Sequence, residues 1–194
     1  MSFLDYAPAP ESRSIVDLAP SYGLFIDGDF APGKDVFKTV NPASEEVLAE
    51  IAAAAPEDVD RAVAAARKAV KPWSKLPGSE RAKYLFRIAR IIQERSRELA
   101  VLESLDNGKP IKESRDVDLP LVAAHFFYYA GWADKLAYAG FGPNPKPIGV
   151  AAQVIPWNFP LLMLAWKIAP ALACGNTVVL KPAETTPLSA LFFA

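Results

Sequence analysis

The chain has 194 residues, 52% of them apolar, with 21 basic and 22 acidic side chains and a formal charge of −1. That length gives one large domain or two small ones, and the apolar fraction excludes wholesale disorder. The balanced charge excludes a nucleic acid or an anionic membrane held by bulk charge. One cysteine (Cys174) and one histidine (His125) exclude a disulfide framework and a Cys/His-rich zinc site, and suit a reducing, cytoplasmic setting.

Residues 1–22 read as an extended arm, since Pro8, Pro10 and Pro20 discourage a helix. They show no basic stretch followed by an apolar one, so no targeting segment is expected. Asp27-Gly28 between Leu24–Ile26 and Phe30 is a tight hairpin signal. Strands are predicted at 36–40 and 47–52, across the turn former Asn41-Pro42. Val59, Ala62, Val63, Ala66 and Val70 then fall on one face of a helix, which predicts a helix from about Pro56 with those five side chains inward. A second helix is predicted from 79 to about 105, with Leu85, Ile88, Ile92, Leu99 and Leu102 inward and Asn107-Gly108 as its stop. A third helical stretch, about 111–138, contains Pro120, where a kink or break is expected.

From Gly142 to Ala194 there are four formal charges, Lys146, Lys167, Lys181 and Glu184, so this stretch is expected in an interior. It reads as a buried strand at 148–155, a helix at 160–173 and a second buried strand at 177–181. Such a strand–helix–strand unit predicts parallel strands. The apolar run at 159–174 holds Pro160, Lys167 and Pro170 and is too short to cross a bilayer. Thr186-Pro187 reads as an N-cap followed by proline at the first helical position. The chain stops about two turns later, with too few strands to cover a parallel sheet, so it is expected to be the front part of a longer protein. The fold class is therefore α/β: a Rossmann-like parallel sheet, incomplete in this chain, preceded by small strands and an N-terminal helical region.

Candidate chemistry gathers at the ends of the two strands. The segment Val154-Ile155-Pro156-Trp157-Asn158-Phe159-Pro160 lies where a parallel strand gives way to its helix, the edge at which open α/β sheets bind ligands. Asn158 offers a neutral N–H donor of the kind that stabilises an oxyanion. Its plainer role would be to cap the helix. Lys181-Pro182-Ala183-Glu184 follows the second strand, where a Lys and a Glu three apart could hold ribose hydroxyls or simply pair in solvent. Cys174 ends an apolar helix with no base nearby and reads as a buried thiol. His125 reads as a packed, hydrogen-bonded helix residue. Trp157, Phe159, Met163 and Trp166 could line an apolar pocket or simply pack. No G-x-G-x-x-G or Walker sequence occurs.

Three motifs in order, Ile155-Pro156-Trp157-Asn158-Phe159-Pro160, Ala171-Leu172-Ala173-Cys174-Gly175-Asn176 and Lys181-Pro182-Ala183-Glu184-Thr185-Thr186-Pro187, resemble the NAD(P)-dependent aldehyde dehydrogenase superfamily. Phe25-Ile26-Asp27-Gly28, Val40-Asn41-Pro42-Ala43 and Leu105-Asp106-Asn107-Gly108-Lys109-Pro110 resemble it too, so the likeness runs from about residue 22 to the end. The resemblance implies a domain division into the 1–22 arm and, over 23–194, the start of an NAD-binding domain whose first βαβ unit spans about 147–181. It implies that Asn158 donates its amide to the oxyanion formed when an aldehyde is attacked. It places Val154, Ile155, Pro156, Trp157 and Asn158 beside the cofactor, with Lys181, Pro182, Ala183 and Glu184 at the adenosine ribose. A carboxylate there repels a 2′-phosphate, so NAD is expected over NADP. Phe159, Met163 and Trp166 would form the wall of the aldehyde channel, and Val40, Asp106 and Thr185 a monovalent-cation site built from backbone oxygens. The partners implied are a small-molecule aldehyde and further copies of the chain, as a dimer or tetramer.

The family's nucleophilic cysteine and general-base glutamate have no match in these residues, and Cys174 does not fit the nucleophile's motif. The chain alone is therefore expected to be inactive. A second reading is a non-catalytic nucleotide-binding or assembly module derived from the same fold.

Overall fold

The computed structural model of the chain describes residues 12–194. Of the expected arm, residues 1–11 lie outside the described residues. The rest lies against the body: Val16 is buried, and strand β1 (Ser21–Tyr22) pairs parallel with β5 (Val47–Ala53). The predicted hairpin is present as β2 (Leu24–Ile26) and β3 (Asp29–Ala31), antiparallel. Asp27 and Gly28 both have positive φ, +54° and +89°, the backbone a two-residue hairpin turn needs. β4 (Asp35–Val40) pairs antiparallel with β5.

α1 (Pro56–Lys75) starts where predicted, with Asp58 reaching back to accept the Ala55 N–H at 2.9 Å. Its expected inward face is only partly covered. Ala66 is buried, but Val59 is 48% exposed because the helix packs chiefly against β2 and against the later strands β6 (Val150–Val154) and β7 (Thr177–Lys181).

The single helix expected over 79–105 is two: α2 (Gly78–Glu94) and α3 (Ser96–Asn107). The chain turns at Arg95, which grips Glu98 through two hydrogen bonds of 2.8 Å. Leu85, Ile92, Leu99 and Leu102 are buried as expected. α3 ends at Gly108 in the left-handed conformation, the predicted stop. The 111–138 stretch changes winding before Pro120 without leaving helical backbone: a short turn α4 (Ile111–Glu113) and a π turn at Ser114–Asp118 lead into α5 (Leu119–Trp132), whose first turn holds Pro120.

β6 (Val150–Val154), α6 (Pro160–Ala173) and β7 (Thr177–Lys181) form the expected unit, with parallel strands. Side-chain bonds hold this unit together and tie it to α1 and α2. Thr177 Oγ1 donates to Ala66 O at 2.9 Å, Gln153 Nε2 to Lys167 O at 2.9 Å, and the buried Arg81 Nε to Ala173 O at 3.1 Å. α5 packs between α2 and α6, so the core lies among these helices. The expectation that the strands are buried holds only in part: Val154 at the end of β6 is 66% exposed, and Ile148, just before β6, is 98% exposed. The chain closes with α7 (Leu188–Phe193). Thr186 does not cap it. Pro187 holds the cap position, the buried Thr186 Oγ1 has no partner among the described residues, and Asp106 Oδ2 from α3 accepts the Leu188 N–H at 2.8 Å. No helix among the described residues is long and apolar enough to cross a membrane.

Candidate functional site

Strand register builds the site. Val154 and Lys181 are paired across β6 and β7 and are the last residue of each strand. Ile155 N–H donates to Lys181 O at 3.1 Å, so the pairing persists one step further. Ile155–Asn158 and Pro182–Glu184 consequently leave the sheet side by side at the carboxyl ends of parallel strands. At the opposite end, Asn176 Oδ1 accepts the N–H groups of Ile148 and Gly149 at 2.8 and 3.0 Å and fixes how both strands begin.

Ile155 is buried and anchors the first loop, while Pro156, Trp157 and Asn158 are exposed. Asn158 does not cap α6, whose cap position is Phe159; its side-chain amide has no hydrogen-bond partner among the described residues. The α6 N-terminus is held instead by Glu103 of α3, whose Oε2 accepts the Leu161 N–H at 3.2 Å. At the second loop Lys181 and Glu184 form an exposed ion pair. Lys181 holds the Glu184 carboxyl below the ordinary glutamate range.

Phe159, Met163 and Trp166 recur at i, i+4 and i+7 along α6; Phe159 and Trp166 are exposed and Met163 is half-buried. His125 of α5 meets Trp166 edge-on at 5.5 Å and stacks on Tyr129 at 6.4 Å, so its contacts are aromatic rather than the expected hydrogen bond. Burial lowers its pKa. Cys174 is half-buried, and burial pushes its thiol up, as expected of a structural cysteine.

A buried charged group lies beneath this surface, in which Asp106 was expected at a cation site while Glu103 and Asp118 were not singled out from the sequence. Glu103, Asp106 and Asp118 are buried, and the Lys109 ammonium sits 2.6 Å from Asp118 Oδ2 and 3.3 Å from Glu103 Oε1. Burial raises Glu103 to about 7 against the pull of Lys109, and raises Asp106 to about 6 against the Thr39 hydroxyl, which donates to it at 2.7 Å. The signal was Glu103 and Asp106 falling in helical step with Leu99, two acids on an apolar face. Of the expected cation site, Asp106 bonds to Thr39 beside Val40 and to Leu188 shortly after Thr185. No cluster of three or more His, Cys, Asp or Glu arranged to hold a metal occurs among the described residues.

Paired parallel strands with a polar turn at their shared carboxyl edge define an α/β ligand-binding unit. Comparison with known proteins makes this specific: the model of the aldehyde dehydrogenase family matches residues 30–194. The chain belongs to the aldehyde dehydrogenase family. It is 51% identical over 181 residues to a mitochondrial benzaldehyde dehydrogenase of Antirrhinum majus, covering 87% of this chain and 34% of that protein. It is 47% identical over 186 residues to the mitochondrial aldehyde dehydrogenase of Rattus norvegicus, covering 88% of this chain and 36% of that protein. An NAD+ complex of an aldehyde dehydrogenase from Bacillus cereus superposes with a TM-score of 0.84 at 41% identity, over 92% of this chain and 40% of that one. The chain thus spans about a third of the length of the curated relatives it matches.

Proposed function

We propose that the chain forms part of an NAD-dependent enzyme that oxidises an aldehyde to a carboxylate, with the β6–β7 edge as the cofactor-binding side. The observation that carries this is the Val154–Lys181 pairing, which brings the two loops together at one edge. The donor set suits a dinucleotide: an exposed ammonium and carboxylate next to an exposed turn at a helix start. When bound, NAD supplies the hydride acceptor.

The roles that follow are those of the chain's own residues. Lys181 donates to, and Glu184 accepts from, ribose hydroxyls, exchanging their mutual pair for the ligand; Pro182 and Ala183 carry them. Glu184 opposes a 2′-phosphate and so favours NAD over NADP. Val154, Ile155, Pro156 and Trp157 border the cofactor. Asn158, unpartnered and exposed, donates its amide N–H to the oxygen that gains charge as the aldehyde carbon becomes tetrahedral. Phe159, Met163 and Trp166 keep water from that carbon. Backbone oxygens of Val40, Asp106 and Thr185 hold a monovalent cation, a reading supported by the Thr39 and Leu188 bonds that gather their neighbours around Asp106. The protein works as a dimer or tetramer in the cytoplasm.

The test is NADH formation by the full-length gene product across a panel of aldehydes. NAD-dependent carboxylate production supports the reading. NAD binding without turnover leaves a non-catalytic nucleotide-binding module, and absence of both overturns the site.

A further inference from the structure

Three contacts from one stretch of chain bracket Asn158. Just before it, Asn107 Nδ2, at the end of α3, donates to the Trp157 carbonyl. Just after it, the Lys109 ammonium lies 4.3 Å from the centroid of the Phe159 ring. Beyond that, Glu103 holds the Leu161 N–H at 3.2 Å. The clamp is itself anchored: Lys109 is fixed between Asp118 and Glu103, with 7% of its side chain exposed. Gly108 sits between two of the clamping residues, so close to Pro42 that a Cβ there would come within 2.5 Å of its Cγ.

Asn158 itself has no side-chain partner among the described residues, so none of them fixes its direction through its own side chain. Its aim comes from its neighbours on either side. We infer that Asn107, Glu103 and Lys109 are positioning residues that hold the Trp157–Leu161 turn and thereby aim the Asn158 amide. This rests on the oxyanion role proposed for Asn158. A misplacement of about 1 Å at a reacting centre costs on the order of 10²-fold in rate, so a turn held at three points bears directly on turnover.

Asn107 is the residue to test, because it is half-buried at a helix end where alanine is well tolerated; Asn107→Asp, equal in size but without the donor, is the second variant. In the full-length gene product each variant is expected to lower kcat by about tenfold or more while the KM values for aldehyde and NAD stay within about twofold. Hydrogen exchange, read by mass spectrometry, should quicken in the 157–163 peptide and not in the β4–β5 peptide. The deciding measurement is the double variant: in an Asn158→Ala background, Asn107→Ala should cost nothing further, because it acts through Asn158. An equal fall in both backgrounds, or unchanged kcat in the single variants, overturns the inference. If Asn158→Ala itself keeps full turnover, the oxyanion reading is what fails. The exchange rate at 157–163 then decides the clamp alone, and an unchanged rate refutes it.

Discussion

The proposed preference for NAD rests on one exposed side chain, Glu184. Its carboxylate forms an exposed ion pair with Lys181 at the edge where a ribose would lie. Replacing it with Gln keeps the size and removes the repulsion toward a 2′-phosphate. The ratio of kcat/KM for NADP over NAD should then rise by about tenfold; a ratio no different from wild type would remove Glu184 from the ribose site. The buried acids make a different prediction. Glu103 titrates at about 7 in the fold against an ordinary value of 4.5. A carboxyl whose pKa rises on folding favours the protonated native state, so its contribution to stability is whole below pH 4.5 and is lost as pH climbs through about 7. Glu103→Gln cannot titrate, so over that window wild type should lose stability relative to it, by at most about 1.4 kcal/mol per pH unit. Urea midpoints for both proteins at about pH 5 and about pH 7 measure this, and a constant difference would show that Glu103 is not shifted.

At the scale of elements, the α3 end shows the tightest packing demand. Gly108 has φ +82°, and a Cβ there would come within 2.5 Å of Pro42 Cγ. Gly108→Ala should cost about 1–2 kcal/mol for the left-handed backbone, with about 1–3 more for the contact. A denaturant midpoint equal to wild type would show that the α3 end can shift freely. The stop at Gly108 was legible in the sequence, as were the hairpin at Asp27-Gly28, the start of α1 at Pro56 and the whole β6–α6–β7 unit. Each is punctuated by Gly or Pro and changes its apolar period at the boundary. The break at Arg95 was not legible, since neither Gly nor Pro marks it and the apolar period runs through. The α7 start was misread because local chemistry favoured Thr186, whereas the acceptor comes from Asp106, 82 residues away. The clamp on the Asn158 turn was hidden for the same reason. The position of Asn158 at a strand–helix junction was legible, but the side chains that hold it lie 50 or more residues earlier.

Across the whole molecule, apolar surface is unevenly distributed. The helices α2, α3, α5 and α6 enclose the core, while Ile148 and Val154 stand exposed on or beside a two-stranded parallel sheet. Parallel sheets are ordinarily covered on both faces, and an exposed apolar strand is a template for association. The 194 residues expressed by themselves are therefore expected to self-associate, with light scattering as the readout; a monodisperse 21.0 kDa monomer would contradict this. The central claim is that the β6–β7 edge places Asn158 against a developing oxyanion. Its most direct test is kcat for aldehyde oxidation by the Asn158→Ala form of the full-length gene product at saturating NAD. The account predicts a fall on the order of 10²–10³ with the NAD dissociation constant within about twofold of wild type. Turnover at the wild-type rate would contradict it.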